Sequence, residues 1–68
     1  MLPLNDKEQA IIELVCDGKS NRDVADIMGL SQPVVAGYLR VIYPKLDAKN
    51  RAEACAHFVR LQNKGSPR

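Results

Sequence analysis

Apolar residues recur along this chain at three- and four-residue intervals, and no stretch alternates in the two-residue rhythm of a strand. Four helices follow. The first runs through LNDKEQAIIELVCDGK, where Asn5 is the N-cap and Glu8, three residues on, completes a capping box. Ile11, Leu14 and Val15, with Ile12 alongside, form its apolar stripe, and Gly18 supplies a left-handed stop. The second, SNRDVADIMGL, is capped by Ser20 with Asp23 in the third position. It turns Val24, Ile27 and Met28 inward and ends at Gly29. The third covers residues 31–43: Ser31 caps it and Pro33 sits in the first turn, where a missing N–H is tolerated. Val35, Leu39 and Ile42 pack inward, and Pro44 is expected to end or kink it near Tyr43.

The fourth helix, NRAEACAHFVRLQNK, starts from a cap at Asp47 or Asn50. Glu53, His57, Arg60 and Lys64 make one polar stripe, on which His57 has no chemistry to perform. Almost everything else on it is apolar. A helix on the outside of a small monomer needs one apolar face, and this one has two. Ala54, Phe58 and Leu61 serve the core, leaving Ala52, Cys55, Ala56 and Val59 as a second seam, read as a dimer contact. The fold class is therefore all-α. Residues 1–62 form the domain and 63–68 (NKGSPR) a disordered tail.

Length sharpens this reading. A domain of about 60 residues buries only about 60% of its unfolded surface and needs a staple or a partner. The 68 residues hold two cysteines, Cys16 and Cys55, far apart and outside any CxxC pair, and one histidine, so no zinc set of four ligands exists. Both thiols read as small apolar packing residues, which leaves oligomerisation as the staple. No cofactor or metal is expected. The absence of a signal peptide, of a membrane span and of a paired-cysteine framework points to the cytoplasm and away from a membrane partner.

Charge is uneven. Residues 1–30 carry Asp6, Glu8, Glu13, Asp17, Asp23 and Asp26 against Lys7, Lys19 and Arg22, a balance of −3. Residues 31–68 carry Arg40, Lys45, Lys49, Arg51, Arg60, Lys64 and Arg68 against Asp47 and Glu53, a balance of +5; the whole is +2. A basic half suits a polyanion. Helices two and three are joined by Gly29-Leu30-Ser31, the short glycine-containing connection of a helix-turn-helix, which lays its second helix in the major groove of DNA.

The longer pattern narrows the field. LN-x-x-E at residues 4–8, GKSNRDVA at 18–25, LS-x-x-VV at 30–35, YLRVIY-x-KL at 38–46 and NRAEA at 50–54 resemble the LuxR-type (GerE or FixJ type) DNA-binding domain. The resemblance covers residues 4 to about 62. It implies a four-helix domain, with the third helix as reader and the fourth as dimer contact. It also implies that Lys45 touches the phosphate backbone, that Ser20, Asn21 and Arg22 lie near it, and that Arg51 is structural, with Glu8 as its partner. The family's usual sensor or receiver domain is not among these 68 residues: the leading methionine favours a free-standing module, and a fragment from which a sensor has been cut is the alternative.

The departures fall on the reading helix. Val34 stands where threonine is usual, Ala36 where lysine or arginine is usual, and Tyr38 where histidine is usual; Pro44 is uncommon. Gly37 in mid-helix costs about 1 kcal/mol relative to alanine, a cost that asks for a close approach or marks a tolerated defect. Base reading then rests on Arg40 and Gln32, with Ala36 and Gly37 on the same face, and backbone contact on Lys45, Arg22, Lys49 and Tyr38. The expected function is a small stand-alone transcription regulator of bacterial type that binds double-stranded DNA as a homodimer. The alternative is a protein-interaction module that binds or antagonises another regulator, by heterodimer formation, with little DNA binding of its own. With no phosphate loop and no clustered nucleophile and base, the chain is not expected to be an enzyme.

Overall fold

The computed structural model describes residues 3–63, and among them it contains four helices and no strand. They are α1 (Asp6–Cys16), α2 (Asn21–Met28), α3 (Gln32–Lys45) and α4 (Arg51–Asn63). Asn63 closes α4, and the remainder of the expected tail lies outside the described residues.

The helix ends follow from their caps. Asn5 Oδ1 accepts the Glu8 N–H at 2.8 Å, and Glu8 Oε1 accepts the Asn5 N–H at 3.0 Å. At the other end of α1, Gly18 at φ +94° allows its own N–H to reach Val15 O and the Lys19 N–H to reach Leu14 O, two last-turn carbonyls left without their usual i+4 helical partner. Arg51 adds a third tie there, donating from Nη2 to Val15 O at 2.7 Å. Asn50, not Asp47, caps α4: its Oδ1 accepts the Glu53 N–H at 2.9 Å.

Asp47 instead takes the left-handed position after α3, at φ 55°. Its N–H bonds to Pro44 O and the Ala48 N–H to Tyr43 O. This explains why α3 outruns the stop expected at Tyr43. Pro44 lies so near the end that it removes a single ladder bond, while the Leu46 N–H still reaches Ile42 O and the Leu46 side chain is fully buried.

α1 packs against each of the other three helices, and α2 packs on α3. The core is Ile11, Ile12 and Val15 from α1, Val24 and Ala25 from α2, Val35, Leu39 and Ile42 from α3, Leu46, and Ala54 and Phe58 from α4. Two inward assignments fail. Ile27 is 57% exposed, because the face that meets α1 and α3 is set by Val24, Ala25 and Met28, and Ile27 lies off its edge. Leu61 is 40% exposed, so among the described side chains α4 gives the core only Ala54 and Phe58.

The largest correction concerns the cysteines. Cys16, the last residue of α1, and Cys55, in the second turn of α4, form a disulfide across a Cα–Cα distance of 5.3 Å. The staple assigned to oligomerisation is thus present within one chain. Its sequence separation of 39 corresponds, in the chain-entropy treatment, to about 4 kcal/mol of stabilisation. It also removes one premise for a cytoplasmic home. His57 is corrected as well: it is half-buried, and its Nδ1 donates to Leu46 O, fastening α4 to the end of α3. No described helix is long and apolar enough to cross a membrane, and no described cluster of His, Cys, Asp or Glu is built to hold a metal.

Candidate nucleic-acid interface

The candidate surface is built on the turn between α2 and α3. Gly29 adopts φ 70°, ψ 33°, where a side chain would be strained, and this lets the Leu30 N–H close back on Ala25 O at 2.8 Å. Ser31 then starts α3, accepting the Val34 N–H at its hydroxyl. The inward side of α3 is held by Val35, Leu39 and Ile42. Its opposite side leaves Gln32, Pro33, Val34, Gly37, Arg40 and Val41 exposed, with Ala36 and Tyr38 half-buried. Arg40 is the one exposed charge on the helix, and Gln32 is an exposed amide in its first turn.

A shallow groove of about 320 Å³ runs beside this face, lined by Glu8, Val34, Gly37, Tyr38 and Val41. A Cβ built on Gly37 meets no heavy atom within 4 Å, so the fold itself does not require glycine there. Gly37→Ala is expected to stabilise the isolated domain by about 1 kcal/mol in urea unfolding. Loss of DNA affinity in the same variant would show that the glycine serves an approaching duplex.

Lys45 does not stand free. Its ammonium lies 2.9 and 3.0 Å from the two carboxylate oxygens of Glu8, with side-chain exposures of 25% and 5%. The hydrogen bond from Lys45, then the one from the Asn5 N–H, holds the Glu8 carboxyl below the usual carboxylate range, although burial pushes the other way. Arg51 therefore lacks the partner expected for it: Glu8 is taken by Lys45, and Arg51 ties to backbone carbonyls instead. Sequence spacing carried a signal for this pair. Glu8 falls in register with Ile11, Ile12 and Val15, and a carboxylate on an apolar face needs a cation. Which cation was a matter of tertiary structure. An ammonium has three donors, so Lys45 retains one for a phosphate, but Glu8 offsets its charge.

At the start of α2, Ser20 and Asp23 form a second capping box, with the Asp23 N–H 3.1 Å from Ser20 Oγ. The Ser20 oxygen is thus occupied, and Asp23 places negative charge at a helix N-terminus that would otherwise attract phosphate. Asn21, Arg22 and Lys49 are exposed. Residues 2–58 match the family described as "Bacterial regulatory proteins, luxR family".

The chain belongs to the LuxR family.

Its LuxR-type helix-turn-helix is 40% identical over 52 residues to the transcriptional regulatory protein DesR of Bacillus subtilis (strain 168), covering 76% of this chain and 26% of that protein. It is 43% identical over 54 residues to an uncharacterized transcriptional regulatory protein, YvfU, of the same organism, covering 79% of this chain and 27% of that one. The chain thus spans about a quarter of the length of these relatives. Family membership places the domain among the DNA-binding modules of transcription regulators.

Proposed function

We propose that this LuxR-type domain regulates transcription in the cytoplasm by binding double-stranded DNA as a homodimer, with α3 in the major groove. The observation that carries the reading is the left-handed turn at Gly29, which delivers an α3 whose exposed side holds Gln32, Gly37 and Arg40. Arg40 reads guanine, Gln32 reads adenine, and Ala36 and Gly37 leave room for the duplex, with thymine methyls as apolar contacts. Arg22, Asn21, Lys49 and Tyr38 contact the backbone, Ser20 through its remaining O–H, and Lys45 through its third donor. The exposed part of α4 (Ala52, Ala56 and Val59, backed by Cys55) pairs the two copies.

Because Glu8 offsets Lys45, the fully available cations on this surface are Arg22, Arg40 and Lys49. With Arg40 on a base, Arg22 and Lys49 neutralise phosphates, and the slope of log affinity against log salt is expected to be about −2 per domain and about −4 per dimer. Arg40→Ala is expected to cost roughly 1–3 kcal/mol on the selected sequence and to relax preference at one base pair in each half-site. Selection from random DNA at low salt, followed by titration of the variant, tests both. Retained sequence preference in Arg40→Ala would remove Arg40 as a reader, and no binding to any DNA at low salt would defeat the reading.

One observation favours a second reading. Val34, Val41 and Ile27 are exposed on the helix-turn-helix, an apolar surface suited to a protein. In that case the domain forms heterodimers with another regulator and antagonises it, and the DNA selection returns nothing.

A further inference from the structure

We propose that Cys16 and Cys55 are a reversible thiol–disulfide site whose oxidation clamps α4 onto α1. Two observations carry it. First, α4 is thinly anchored: among its described side chains only Ala54 and Phe58 are buried in the core, and beyond them its described ties are Arg51 on Val15 O, His57 on Leu46 O and the disulfide. A small apolar contact of this kind leaves a helix at the low end of local stability, so the covalent tie decides how firmly α4 stays in place. Second, both cysteines are half-buried rather than sealed in the core. A cleft of about 550 Å³ lined by Glu13, Leu14, Cys16, Asp17, Phe58 and Val59 opens on the Cys16 side of the bond and has room for a small thiol.

The chemistry is exchange with a low-molecular-weight thiol and its disulfide. In reduction, one thiolate attacks a protein sulfur and breaks the Cys16–Cys55 bond. A second thiolate then resolves the mixed disulfide, so two small thiols become one small disulfide and the protein gains two thiols. Oxidation is the reverse, and the small disulfide takes the two electrons. Exchange is slow, because Glu13 and Asp17 line the cleft and an incoming thiolate meets like charge there.

The regulatory consequence rests on the proposed function. A DNA-binding regulator works in a reducing interior, where disulfides are conditional rather than permanent. Cys55 backs the seam of Ala52, Ala56 and Val59, so the oxidised form presents that seam on a fixed helix and the reduced form presents it on a loosened one.

The test starts with the thiols alone. The protein is equilibrated for a day across mixtures of glutathione and glutathione disulfide, quenched in acid, alkylated and weighed. Oxidised, reduced and Cys16→Ser/Cys55→Ser proteins are then compared by thermal melting, sedimentation and DNA titration. The expected result is a pair that passes from two alkylated thiols to none within the glutathione range, as a monomer-internal bond. On reduction the melting temperature falls by at least about 10 °C. The double variant melts like the reduced protein and ignores glutathione. Dimerisation and DNA affinity drop at least tenfold on reduction. Thiols that remain free in every mixture overturn the proposal. A bond that survives the most reducing mixture, or identical melting of the two forms, also overturns it. Absence of dimer or of DNA binding in both redox states overturns the proposed function, while the thiol titration and the melting shift still decide the clamp.

Discussion

Replacing Glu8 with alanine is expected to destabilise the domain by about 3 kcal/mol, a large share of the roughly 3–10 kcal/mol available to a chain this small. The substitution removes the carboxylate that receives Lys45 through both oxygens, leaving a largely covered ammonium unpaired. Breaking a buried pair from one side costs about 3–5 kcal/mol, and the partial exposure of Lys45 trims that figure. The same change orphans the Asn5 N–H and opens the capping box of α1, a loss of about 1 kcal/mol. Urea unfolding at neutral pH measures the sum.

The acid limb follows from the same pair. The folded Glu8 carboxyl titrates below its ordinary 4.5 because Lys45, then the Asn5 N–H, bonds the charged form. Its contribution is therefore complete above pH 4.5 and is lost as pH falls through the lower folded value. Glu8→Gln keeps an acceptor for Asn5 but has no charge to titrate. Its stability should fall less than that of the wild type between pH 4.5 and pH 3. Parallel curves would show that Glu8 and Lys45 do not stabilise the fold. Freed of its counter-charge, Lys45 in this variant should also steepen the salt slope of DNA binding by about one unit.

Val59→Asp is expected to leave the monomer folded and to abolish the dimer. Val59 is 47% exposed and lies outside the core, so the substitution should change stability by no more than about 1 kcal/mol. In a dimer it would place two carboxylates in an apolar seam between exposed Ala52 and Ala56. Sedimentation should show a wild-type dimer and a monomeric variant. DNA affinity should fall more than a hundredfold, since one domain retains half the contacts. A wild-type chain that sediments as a monomer at high micromolar concentration defeats the seam, as does an intact dimer in the variant.

Along one dimension the chain is easy to read. The three capping residues Asn5, Ser20 and Ser31 and the glycines at 18 and 29 act on backbone groups within a few positions of themselves. Sequence spacing alone therefore placed the first three helices and the turn between α2 and α3. Most of the core was legible for the same reason, because a 3.6-residue period projects Ile11, Val35, Leu39 and Ile42 onto one side whatever lies opposite. The weaker signals misled. α2 is too short for Ile27 to be separated from Val24 by periodicity, and α4, apolar nearly all round, has no phase from which to exclude Leu61.

By itself, then, the sequence determined the helices, their caps, the helix-turn-helix connection and the poverty of charge on α3, since each is set by neighbours in the chain. Tertiary structure alone decided the pairings. Glu8 meets Lys45 rather than Arg51 across 37 positions, Arg51 takes backbone carbonyls, His57 reaches Leu46, and Cys16 meets Cys55 across 39. Charge and thiol chemistry are the same for every possible partner. Only the packing of α1 against α3 and α4 brings one partner within bonding distance, and no local pattern records that distance.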